Sequence, residues 1–378
     1  METRGNMTTV AEIIRIIDSM APGRLAEGWD NAGLQYGDPG RSVSTVLIAL
    51  DPTRKAIETA CSAGAQMLVT HHPLIFKPLT QIDIRTASGS VIDLAARNDI
   101  AVFCAHTNLD SAAGGVNDVL AEIVGIESLS PLSVALAPQR YNIVVFAPKH
   151  AADSIVEAVS GTSAGTIGEY EGCAFFQEGR GRFVPGDSST PHTGEPGRVS
   201  TTDEIRIEMP VAEGDLDDVI RRIREIHPYE TMACDIVPLY REKTDEGLGR
   251  IGRLRRENTL AGLAREIRET MGLSCVKIAG SPEMVVRTAA LCSGGGGGMV
   301  GDFLSSSADV YISGDLNHHA ALDIAAAGKG VIDIGHFASE RPVVPVLSRR
   351  IREACEKKGF AVEVIAWEDE PDPFLYIQ

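Results

Sequence analysis

Short apolar runs, each too brief for a helix and each closed by polar or turn-forming residues, constrain the fold of this chain more than any other feature. Val46-Leu47-Ile48-Ala49-Leu50, Gln66-Met67-Leu68-Val69 and Ile100-Ala101-Val102-Phe103-Cys104 lie towards one end. Ala289-Ala290-Leu291-Cys292, Val310-Tyr311-Ile312-Ser313 and Val331-Ile332-Asp333-Ile334 lie towards the other. Runs without alternation are what a sheet covered on both faces requires. Helix-length segments separate them. Thr8 or Thr9 can cap a helix carrying Val10, Ile13, Ile14, Ile16 and Ile17, and Asp51 with Thr53 opens another over 53–63 that stops at Gly64. Further helices are expected over 86–98, 116–124, 259–271 and 316–327, with a long one after Glu340. Strand, helix and strand at this spacing make a right-handed crossover unit. Both ends of the chain therefore read as α/β with a largely parallel, buried sheet.

From about residue 139 the pattern changes. Strands are expected over 141–146, 169–176, 204–209 and 234–239, and helices over 151–160 and 215–226, with a Gly/Ser/Thr/Pro-rich stretch from Gly179 to Thr202. The order β-α-β-β-α-β is the split βαβ of ferredoxin-like folds. The expected architecture is a discontinuous α/β domain in two halves, 1–138 and 241–378, interrupted by an inserted ferredoxin-like α+β domain over 139–240. Residues 26–34 read as a loop that places Trp29, and Gly247-Leu248-Gly249-Arg250-Ile251-Gly252 as a hinge.

Where the apolar runs stop, imidazoles and carboxylates begin. Val69 is followed by Thr70-His71-His72-Pro73, Cys104 by Ala105-His106-Thr107-Asn108-Leu109-Asp110, and Ile334 by Gly335-His336-Phe337-Ala338-Ser339-Glu340. A lone histidine at a strand end is ordinarily a hydrogen-bonded surface residue, Asp110 alone a helix cap, and Glu340 alone a first-turn carboxylate. Those ordinary roles do not explain why both acids lie four residues after a histidine. Open α/β sheets bind ligands at this edge, and the donor set suits divalent Zn, Fe, Mn or Co. His106 is a candidate proton carrier. His319, after Gly314-Asp315-Leu316-Asn317-His318, is a candidate acid or base. The Gly294–Gly298 run lacks the lysine and hydroxyl of a phosphate-binding loop.

The net charge of −17 disfavours a nucleic-acid-binding surface. Seven cysteines without paired short spacing argue against a disulfide scaffold and for a reducing cytoplasm. The polar start Met1-Glu2-Thr3-Arg4-Gly5-Asn6 is unlike a secretory signal, and no run is long enough to cross a bilayer.

The chain resembles the NIF-three-like dinuclear-metal family of type 2 GTP cyclohydrolase I homologues. The resemblance rests on Glu27-Gly28-Trp29-Asp30-Asn31-Ala32-Gly33-Leu34, Thr70-His71-His72-Pro73-Leu74, and Ala105 to Asp110. It also rests on Ser313-Gly314-Asp315 with His319, and on Ile332-Asp333-Ile334-Gly335-His336 with Glu340. The middle segment is similar to the long subclass with a PII-like or CutA-like insert, through Gly172-Cys173-Ala174-Phe175 and His227-Pro228-Tyr229-Glu230. It departs from that pattern at Thr231-Met232. The resemblance implies two divalent ions held by His71, His72, Asp110, His336 and Glu340, with Glu340 or Asp110 bridging, and a ring-shaped homohexamer. It implies a hydrolase of GTP cyclohydrolase type acting on a nucleotide or other small molecule. A metal-dependent phosphoesterase, or a regulatory or adaptor protein without catalysis, are the alternatives.

Overall fold

A computed structural model describes residues 8–375 and 377, so the polar stretch 1–6 lies outside the described residues. Two compact units emerge: the chain up to Ala135 together with everything from Thr244, and the intervening Leu136–Lys243.

The first unit holds two main sheets. One has the order Gly33–Tyr36, Ala101–Cys104, Met67–Thr70, Thr45–Ala49, Glu363–Ala366, all parallel except the antiparallel edge strand Gly33–Tyr36. Its three central strands are buried along their whole length and almost entirely apolar because both faces are covered. Val46, Ile48, Val69 and Phe103 pack against the helices Val10–Met20 and Val343–Lys357, while Leu47, Leu68 and Val102 meet Arg54–Ser62 and Ala87–Asn98. Each such side chain contributes about 1.5–3 kcal/mol by leaving water. Polar residues are thereby pushed to the strand ends. Thr9 caps the first helix, and its own amide donates to the Glu12 carboxylate at 2.7 Å.

The other sheet runs Lys277–Ala279, Gly330–Asp333, Val310–Gly314, Val285–Gly295, Arg250–Thr259, Ile126–Ser130. Its three central strands are parallel and the remaining pairs antiparallel. The Gly247–Gly252 segment is not a hinge. It lies in the strands Lys243–Leu248 and Arg250–Thr259, and its glycines answer crowding: a Cβ on Gly247 would sit 2.0 Å from the Ser133 carbonyl, and one on Gly252 2.3 Å from that of Glu127. Arg250, buried between them, pairs with Asp118 and donates to the carbonyls of Gly247, Gly249 and Ala112.

The second unit is one antiparallel sheet in the order Cys234–Pro238, Arg140–Ala147, Ser200–Ala212, Phe175–Phe183, with helices Ala152–Ala158 and Leu216–Ile226. The expected strand over 169–176 begins later, at Phe175, and runs through Gly179 and Gly181 into the supposed loop. Cross-strand pairing from Phe175 opposite Glu208 to Phe183 opposite Ser200 overrides the low strand preference of glycine. Among the described residues no helix is long and apolar enough to cross a membrane, and no disulfide joins the seven cysteines.

Candidate metal centre

Because the strands at the heart of each sheet in the first unit are parallel, their carboxyl ends share an edge. Asp51, His71 with His72, and His106 leave one sheet there; Asp315 and His336 leave the other, and Ser293 lies near the carboxyl end of its strand Val285–Gly295. Two one-turn helices complete the set. Thr107–Ser111 carries Asp110, and His336–Glu340 presents its two terminal residues on one face at i and i+4.

The four histidines are oriented alike. Nδ1 of His71 lies 2.9 Å from the Ala105 carbonyl, that of His72 2.8 Å from Asp51, that of His106 2.7 Å from Asp30, and that of His336 2.9 Å from Asp315. Each Nδ1 has an acceptor, so its hydrogen is assigned there and Nε2 is left with a lone pair. The Nε2 atoms face inward. His72 Nε2, His336 Nε2 and Glu340 Oε2 form a triangle with edges of 3.1, 3.2 and 3.2 Å. Ligands bound at about 2.1 Å stand roughly 3.0 Å apart on an octahedral ion and 3.4 Å apart on a tetrahedral one. The triangle falls between these values. The other Glu340 oxygen, Oε1, is 3.6 Å from Nε2 of the almost fully buried His71, which is 3.7 Å from Asp110 Oδ1.

These contacts are poor hydrogen bonds. His71 Nε2 and Glu340 Oε2 are buried without a hydrogen-bond partner, a state that is costly unless a cation fills the space. Electrostatics lead to the same conclusion. Burial disfavours charge on His72, but Asp51 and Glu340 push its pKa up to about 10; contact with Glu340 outweighs burial at His336 and raises it to about 9. Two protonated rings would set N–H against N–H across 3.2 Å. The carboxylates thus call for positive charge, which in this geometry protons supply only by setting two N–H groups against each other. Burial opposes the Glu340 charge, yet the imidazoles hold its pKa well below the carboxylate range; Asp110 is raised, burial and Glu340 outweighing His71. His71, His72 and His106 form one group of possible ligands, and His72, His336 and Glu340 another, with donor atoms within 4.8 Å in each.

The structure thus brings together His71, His72, His106, Asp110, His336 and Glu340. It leaves His319 exposed on the helix His318–Ala326, its ring against that of His318. Sequence reasoning missed the anchors. Asp30, in the loop expected over 26–34, has a side chain fully shielded from solvent and accepts from His106, the Thr107 amide and the Thr107 hydroxyl. Burial works against its charge, but those hydrogen bonds bring its pKa down to about 2. Asp51, read as a helix start, orients His72. Ser293 donates to Asp110 at 3.2 Å. Gly294, at φ +64°, makes room for Glu340: a Cβ there would lie 2.0 Å from Oε1. Within the glycine run, Gly294 and Gly296 are the close-approach positions, a Cβ on Gly296 lying 2.2 Å from the Ser313 hydroxyl. A cleft of about 480 Å³ adjoins the centre, lined by His72, His336, Lys277, Phe337 and Phe374 among others.

The family model described as Duf34/NIF3 (NGG1p interacting factor 3) matches residues 8–373. A relative from Halalkalibacterium halodurans named "GTP cyclohydrolase 1 type 2 homolog" is 34% identical over 97% of this chain and 98% of its own length. One of the same name from Bacillus subtilis is 33% identical over the same shares. A Bacillus cereus protein related to NIF3 superposes with a TM-score of 0.70 at 34% identity, covering 99% of this chain and 100% of that one. Staphylococcus aureus protein SA1388 gives 0.78 at 28% identity with the same coverage.

Proposed function

The chain belongs to the Duf34/NIF3 family, and from that premise we propose that it is a metal-dependent hydrolase with two divalent ions at the shared strand edge. The observation that carries the reading is the convergence of three imidazole Nε2 atoms, those of His71, His72 and His336, each fixed at Nδ1, on two buried carboxylates. His71 with Asp110 would hold one position and His72 with His336 the other. Glu340 reaches both, one oxygen to each side, which favours it over Asp110 as the bridge. Zn, Fe, Mn or Co suit this donor set and, when bound, supply Lewis acidity and a water activated near neutral pH. His106 is the proton carrier. Its Nε2 faces the centre while Asp30 holds the ring and stabilises the imidazolium once a proton is taken. Ser293 keeps Asp110 turned inward.

The relatives' printed name points to hydrolytic opening of the guanine ring of GTP. We read residues 1–138 and 241–378 as one catalytic domain and 139–240 as a ferredoxin-like insert, which the observed strand order of the middle unit supports. A homohexamer in a reducing cytoplasm completes the proposal, the free thiols supporting the compartment. Metal-loaded protein is assayed against GTP and against generic phosphoesters. Turnover abolished in His71→Ala and Asp110→Ala supports the hydrolase; turnover indifferent to both refutes it. Light scattering at a mass other than six chains refutes the hexamer.

A further inference from the structure

Trp29 and Phe76 are 60% and 49% exposed, yet both rings abut the centre. Their centroids lie 6.2 and 6.5 Å from the His106 ring and 5.9 Å from each other, and His106 is 5.3 and 5.6 Å from the rings of His71 and His72. An apolar wall therefore begins one ring's width from the inward-facing nitrogens. The wall is also held in place from both sides. Next to Trp29, Asp30 is tied to His106 and Thr107. Asn31 Nδ2 donates to the Ile75 carbonyl at 2.5 Å, Gln35 Nε2 donates to the Asn31 carbonyl at 2.7 Å, and Gln35 Oε1 accepts from the Ile75 amide at 3.1 Å. The two loops that carry the rings are thus laced together by side-chain hydrogen bonds.

Large aromatic faces that are both exposed and preorganised are stacking surfaces. The Phe76 ring is tilted by 59° to that of Trp29, so a flat ligand that stacks on one meets the other at its edge. We infer that Trp29 is the stacking face, and Phe76 the edge contact, for a planar nitrogen heterocycle of the substrate, a nucleobase or pterin-like ring, whose edge is thereby delivered to His106. The inference rests on the hydrolase reading and names the substrate class for that site. A subunit seated on the wall fits less well, because it would cover His106 and close the centre from solvent.

The chain has two tryptophans, so Trp367→Phe leaves Trp29 as the sole tryptophan, read by excitation at about 295 nm where tyrosine does not absorb. This variant is titrated with guanosine, adenosine and pterin, and with ribose 5-phosphate as the ringless control, while metal content and mass are measured on the same samples. Saturable quenching by at least one ring and none by ribose 5-phosphate is expected. By calorimetry Trp29→Ala weakens that binding about tenfold or more, and Trp29→Phe by about threefold or less. Fully metallated protein that binds none of the rings, or Trp29→Ala binding them as wild type does, overturns the inference. So does a change of oligomeric mass in Trp29→Ala, which makes the wall a subunit interface. Ring binding by protein that takes up no metal leaves the wall standing and sinks the hydrolase reading instead.

Discussion

Gly294→Ala introduces one methyl group at the tightest point of the centre. At φ +64° the alanine itself costs about 1–2 kcal/mol of backbone strain. The larger effect is steric. The new Cβ would stand 2.0 Å from Glu340 Oε1 and 3.3 Å from His336 Nε2. Carbon and oxygen need roughly 3.4 Å, so the carboxylate must retreat by more than ~1 Å. Metal bonds tolerate about 0.2 Å, so Glu340 is lost as a ligand to at least one ion. The fold should survive, with chemical denaturation of metal-free protein showing a loss of only about 1–2 kcal/mol. Metal affinity should fall at least ~10–100-fold, since even indirect damage to a ligand has that effect. Competition of Zn or Mn binding against a chelator measures this directly. Gly297→Ala, three residues on, meets nothing within 4 Å and serves as the silent control. A folded Gly294→Ala protein that binds two ions with wild-type affinity would refute the assignment of Glu340.

Arg250→Met removes a buried guanidinium from the partly exposed Asp118 and from three backbone carbonyls, two of which keep a backbone donor, and should cost about 2–4 kcal/mol in urea denaturation. In metal-free protein the raised pKa values of His72 and His336 contribute stability that is complete below the unfolded value of about 6.5 and is lost as pH climbs through about 9 and 10. Melting of chelator-treated protein should therefore fall between pH 7 and 10, and a flat profile contradicts the electrostatic account. The Ala137 amide donates to the Glu242 carbonyl at 2.8 Å, so the chain leaves and returns at one place. Replacing residues 139–240 by a short Gly-Ser linker should leave metal content unchanged; loss of the metals in a folded product refutes the two-domain reading.

The parts of this fold legible in the sequence are those where burial is uniform. Met67–Thr70 and Ala101–Cys104 are apolar because helices cover both faces, and the same burial forces His71, His72 and His106 to the strand ends. Edge strands carry no such signature. Ile126–Ser130 is exposed after its first residue, and Gly33–Tyr36 is half-buried and antiparallel, so neither shows a period. Glycine is ambiguous in another way. In Gly247, Gly252 and Gly294 it marks places where backbone or carboxylate comes too close for a Cβ, and sequence alone does not separate that from flexibility. The ligand set could be read from strand ends, but its anchors could not. Asp30 is 76 residues from His106, and Asp51 and Asp315 are each 21 from their histidines, so only the closed structure pairs them.

Anomalous diffraction from crystals grown with Mn or Zn is the most direct measurement of all. The account predicts two peaks, one within about 2.0–2.3 Å of His72 Nε2, His336 Nε2 and Glu340, the other at similar distances from His71 Nε2, Asp110 and the second Glu340 oxygen. Peaks elsewhere, or ions bound with these Nε2 atoms turned away, would contradict it.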